Sequence, residues 1–93
     1  MKLARVAGTV ISTIHARFFE GRTLLLCDML DEHGRPQGNY LIAVDSVGAG
    51  AGETVLLIDE GNSARQVVGA SDAPVRTVVV GIVDAIELST SPA

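Results

Sequence analysis

The sequence predicts an all-β fold, a small five-stranded barrel with one short helical turn. Three observations point to it. Valine, isoleucine and threonine gather in short runs, glycine-bearing turns separate those runs at regular spacing, and 93 residues supply one domain and no more. The domain is read as residues 1–93, with the polar tail Ser89 to Ala93 expected to fray.

The first strand is expected over Lys2 to Ser12, with Gly8 in its middle at a position suited to a bulge or a sharp bend. Thr23 to Leu30 makes the second. Asp31-Glu32-His33-Gly34 carries turn chemistry, and Gly34 is free to take a positive φ, so a hairpin follows. Pro36 and Gly38 read as an extension of that turn, placing the third strand at Tyr40 to Val44. It ends at Asp45, before the glycine-rich segment Gly48-Ala49-Gly50-Ala51-Gly52. The fourth strand is Thr54 to Ile58. Cap-type residues and helix formers over Gly61 to Gln66 predict a single helical turn closing one end of the barrel. The last strand, Thr77 to Leu88, follows Pro74, and its run Val78-Val79-Val80-Gly81-Ile82-Val83 implies burial on both faces, one toward the core and one toward a neighbour. Five strands and a helical connection suit a closed barrel of the OB type, because closure removes exposed edges; a β-sandwich is the competing architecture.

Hydrophobic residues make up 47% of the chain, yet only three are aromatic, Phe18, Phe19 and Tyr40. That is more apolar surface than one small barrel interior takes up, so an obligate oligomer is expected. The net charge of −4 opposes nucleic acid and anionic lipid as partners. The longest apolar stretch, Val78 to Val83, is too short to cross a bilayer, and Arg5 interrupts any signal-type segment. Cys27 stands alone within Leu24-Leu25-Leu26-Cys27 and reads as a small buried hydrophobe in a reducing cytoplasm.

Catalytic and ligand-binding readings find little footing. A phosphate loop needs Lys followed by Ser or Thr after its last glycine, whereas Gly52 is followed by Glu53 and Thr54. Glu53 also stands where a dinucleotide loop has its third glycine. His33 sits in an acidic turn without further ligands at metal spacing, and His15 reads as a surface residue in a polar loop. No serine lies in a nucleophile elbow. Neither catalytic residues, nor a metal, nor a cofactor is expected. A nucleic-acid-binding barrel would need stacking aromatics and a basic groove; the chain has no Trp, and seven basic residues stand against eleven acidic ones.

Several segments together resemble the EutN/CcmL family of bacterial microcompartment vertex proteins. They are Lys2 to Thr13, Leu24 to Leu26, Ala43-Val44-Asp45-Ser46-Val47-Gly48-Ala49-Gly50-Ala51-Gly52-Glu53, Ser63 to Val67 and Val79 to Asp84. The resemblance implies an OB-like barrel assembled as a homo-pentamer, placed at the vertices of a cytoplasmic shell, in contact with hexameric facet tiles and without a reaction of its own. A heterologous contact repeated by rotation closes into a ring, and five-membered rings among six-membered ones supply curvature. By the same resemblance, Gly48, Ala49, Gly50, Ala51 and Gly52 are expected near the five-fold axis. Asp45, Arg65 and Asp84, the charged residues within the matching segments, are expected to form hydrogen bonds or ion pairs within or between subunits. The chain departs from the family pattern at Pro74-Val75-Arg76, where an acidic residue is common, and in lacking a longer C-terminal extension. An OB-type binding module for nucleic acid or a small polyanion is the second reading, and a small enzyme or regulatory subunit the third.

Overall fold

The computed structural model describes residues 1–11, 21–61, 64, 67 and 76–86. Within them β1 runs Lys2–Val10, β2 Leu24–Leu30, β3 Pro36–Asp45, β4 Thr54–Asp59 and β5 Thr77–Ile82. Burial alternates along β1, with Ala4 and Val6 inside and Arg5 and Ala7 outside, as a strand covered on one face requires. β2 repeats the pattern through Leu25, Cys27 and Met29.

The strands close into a barrel in the order β1-β2-β3-β5-β4, and β4 returns to β1. All contacts are antiparallel except that of β3 with β5, which is parallel and limited to Val44↔Val78 and Asp45↔Val79. This is the OB-type arrangement, and it decides against the sandwich. The interior is filled by Val6, Leu25, Cys27, Val55, Leu57 and Val79, all at most 2% exposed. A second apolar cluster lies outside the barrel wall, where Ala64 packs on Val44 and Val78. Gly61, Ala64 and Val67 are helical, and the Ala64 N–H donates to the Glu60 carbonyl at 2.9 Å. The expected helical turn is therefore present in the described residues and roofs one end of the wall.

Three expectations are met with a change of detail. The bulge anticipated at Gly8 lies between Val6 and Gly8, where β1 slips by one residue against β2. β3 begins at Pro36, not Tyr40: the turn closes earlier, because Asp31 accepts the His33 and Arg35 N–H groups and its own N–H donates to Arg35 O. A proline at the first position of a strand forfeits no ladder bond, so Pro36 pairs with Leu30. β5 ends at Ile82, not Leu88. β4 has no residue left to pair, since the Val83 N–H already donates to Thr54, the first residue of that strand.

The second face of β5, where a neighbour was expected, is covered at Val78 by the chain itself. Val78 is fully buried beneath Ala64 of its own chain. Of the other sequence readings, Arg65, His15, the remaining positions of the 61–66 turn, Pro74 and the tail 89–93 lie outside the described residues.

Candidate functional site

Gly48 to Gly52 connects β3 to β4 over one rim of the barrel, and its shape follows from two carboxylates. Asp45 closes β3 and turns its side chain forward along the loop. Its Oδ1 accepts the N–H groups of Val47 at 3.0 Å and Gly48 at 3.1 Å, and Oδ2 accepts that of Ala49 at 3.1 Å. Gly48, at φ 77°, and Gly52, at φ 87°, then occupy left-handed conformations that a side chain would strain. Glu53 works from the other end and accepts the Gly50 N–H.

The far end of the loop is sewn to β1 by Gly52 N–H to Val6 O at 2.8 Å and Val6 N–H to Glu53 O at 2.9 Å. Ala49 joins the core, while Gly48, Gly50, Ala51 and Gly52 remain exposed. An anion is poorly served here, because the loop N–H groups that would cradle it are directed at Asp45 and Glu53. What the loop offers instead is a fixed, small-residue rim that another backbone can approach closely.

Of the three charged residues singled out in the sequence, the structure brings Asp45 into this loop and places Asp84 on the exposed segment after β5. Arg65 lies outside the described residues. Sequence reasoning missed Asp59, where three elements meet. Its carboxylate accepts from Thr77 Oγ1 at 2.7 Å, lies 3.1 Å from Lys2 Nζ and 3.3 Å from Arg76 Nε. The Thr77 hydroxyl, assisted by Lys2 and Arg76, holds this carboxyl below its ordinary range.

Nothing in these groups is poised for catalysis. Cys27 is buried, and burial, with the Asp45 charge as a lesser cause, pushes its thiol up to about 11. Asp31 is held low chiefly by the Arg35 N–H within its own turn. Among the described residues, no three His, Cys, Asp or Glu side chains gather at metal-binding distance, and no helix is long and apolar enough to cross a membrane.

The geometry is that of a closed OB-type barrel with a self-satisfied loop and with Leu26, Tyr40 and Ile42 exposed on its outer wall, and the comparisons place it among structural shell proteins. The chain belongs to the EutN/CcmL family, described as "Ethanolamine utilisation protein EutN/carboxysome", which matches residues 1–84. It is 41% identical over 92 residues to the carboxysome shell vertex protein CcmL of Gloeobacter violaceus, covering 99% of this chain and 91% of the relative. Against the microcompartment shell vertex protein EutN of Salmonella typhimurium it is 43% identical over 86 residues, covering 92% and 86%. The solved structure of the GrpN pentameric microcompartment shell protein from Rhodospirillum rubrum superposes with a TM-score of 0.85 at 39% identity, covering 96% of this chain and all of that one.

Proposed function

We propose that the chain is a non-enzymatic building block that forms the pentameric vertex of a bacterial microcompartment shell, capping corners between hexameric facet tiles. One observation carries this reading: along almost its whole length the chain matches proteins named as shell vertex proteins, on a fold shared with a pentameric one. The Gly48 to Gly52 loop is proposed to face the five-fold axis, where its small, exposed and fixed residues let five copies converge. Asp84 and Arg65 are proposed as subunit contacts, and Asp45 as the residue that gives the contacting loop its form.

Native mass spectrometry of the isolated protein tests the reading. The expected species is about 48 kDa, five times the 9.7 kDa chain. Co-production with a hexameric shell protein is expected to convert open sheets or tubes into closed particles. A concentration-independent monomer, or tiles that close equally well without this chain, overturns the assignment.

A further inference from the structure

The mouth of the barrel, where β1 and β3 begin and β2 ends, holds a cup of about 350 Å³ for which the vertex reading has no use. Its shape comes from an irregularity in β3. Asp28 pairs with Tyr40 and Leu30 with Pro36, so Met29 alone stands across from Gln37, Gly38 and Asn39. The surplus residues bow β3 away from β2, and Gly38 makes the bow possible by taking φ 91°, a left-handed conformation that a side chain would strain. Open space surrounds Gly38, so its conformation and not crowding selects a glycine there. A bulge at a barrel rim re-aims side chains, and the two that flank Gly38 line the cup. Barrel mouths are also where ligands commonly bind.

Each part of the lining has its own chemistry. Leu3, Met29 and Leu30 give an apolar floor, with Met29 and Leu30 buried. Gln37 and Asn39 bring two carboxamides that have no hydrogen-bond partner among the described residues. The charges on the lip do not cancel. Lys2 is taken by Asp59, 3.1 Å from its Nζ, whereas Asp31 is bonded to neutral backbone N–H groups and Glu32 faces His33 Nε2 at 3.6 Å. Two carboxylates therefore stand at the lip without a Lys or Arg partner among the described residues. A cup near the roughly 300 Å³ lower bound of ligand sites takes one side chain and not a large cofactor. Its occupant must be apolar along the stem, cationic at the head, and rich in N–H donors for the carboxamide and carboxylate oxygens. An alkylguanidinium has all three properties, while an ammonium offers fewer donors and holds its water more tightly.

We infer that the cup at the barrel mouth is a docking site for an arginine side chain of another protein. The alkyl stem lies on Met29 and Leu30, and the guanidinium is shared between the side-chain oxygens of Gln37 and Asn39 and the carboxylates of Asp31 and Glu32. The net charge of −4 favours the approach of such a basic partner. This inference goes beyond the vertex reading and does not depend on the size of the ring.

Nuclear magnetic resonance of the isotope-labelled whole chain, titrated with Nα-acetylarginine amide, tests it. Backbone signals of Met29 to Glu32 and of Gln37 to Asn39 are expected to shift saturably, with a Kd of about 1 mM for a ligand this small. The citrulline analogue, which keeps the shape and lacks the charge, is expected to bind about tenfold more weakly. Asn39→Asp should tighten arginine binding about fivefold and Asn39→Lys weaken it about tenfold. Ile11→Lys makes the same charge change as Asn39→Lys at a 96% exposed position past the far end of β1, and should leave the affinity within about twofold. Circular dichroism and native mass spectrometry check that each variant folds and assembles as the wild type does. Citrulline binding as tightly as arginine, shifts scattered over the surface, or no shift at all overturns the inference. So does equal weakening by Asn39→Lys and Ile11→Lys, which would leave only net charge at work. If Asn39→Lys does not fold, the two titrations of the wild type decide alone, and every one of these outcomes leaves the vertex reading standing.

Discussion

Asp45 and Asp59 are both acidic residues at strand ends, yet only one was visible in advance. Asp45 was singled out through the segments that resemble the family, and the structure shows it accepting N–H groups of the glycine and alanine run that follows it. The partners of Asp59, Lys2 on one side and Arg76 and Thr77 on the other, are distant in the chain and meet only through barrel closure. Because the folded carboxyl is held low, Asp59 contributes stability that is fully present above its unfolded value, near pH 4, and is lost as pH falls through the lowered folded value. Asp59→Asn should therefore lower the melting temperature at neutral pH and flatten the decline in stability on acidification below about pH 4. Asp31, held low in the same direction, keeps part of that decline in the variant. Thermal melts of both proteins across pH 2 to 7 read the difference; parallel curves would show that the cluster contributes nothing.

At the scale of elements, β5 shows what a sequence pattern states and what it omits. An unbroken apolar run announces two covered faces, and Val78 and Val79, which point to opposite sides, are both fully buried. What covers the second face is not written in the run. Ala64 reaches Val78 by way of a helical turn whose position depends on the closed barrel. The ends of β3 and β5 escaped for a related reason: strand length is set by the partner available, so β3 extends to Pro36 because Leu30 is there to meet it, and β5 stops where β4 begins. The two-faced burial has a measurable consequence. Val78→Ala and Val79→Ala should each cost about 2 kcal/mol in chemical denaturation, since each removes two methyl groups from a filled site. A strand covered on one face only would return one large value and one near zero.

In the whole molecule, the composition pointed to an oligomer but could not indicate which apolar residues face outward, because that is set by register. Without the slip at Ala7, Gly8 would stand across from Leu25 and face the core; with it, Gly8 stands across from Leu26 and faces out. The glycine loop poses the opposite problem, being legible as a segment while its place in the ring rests on family resemblance, and Gly50→Arg tests that place. In the single subunit the substitution is mild. Gly50 is exposed, has no positive φ, and a Cβ there meets only the Glu53 carboxylate at 3.3 Å, a contact that a shift of a few tenths of an ångström relieves. Its effect should therefore appear only upon assembly. If the loop lines the axis, five guanidinium groups converge within about one Debye length, roughly 8 Å at physiological salt, so their local repulsion and bulk outweigh a net negative charge spread over each subunit. Pentamer yield in native mass spectrometry should fall while the circular dichroism spectrum stays unchanged, and added salt should restore part of the yield by screening. Undiminished rings at every salt concentration would move the loop away from the axis and leave the small residues of Gly48 to Gly52 explained by the turn they form around Asp45 alone.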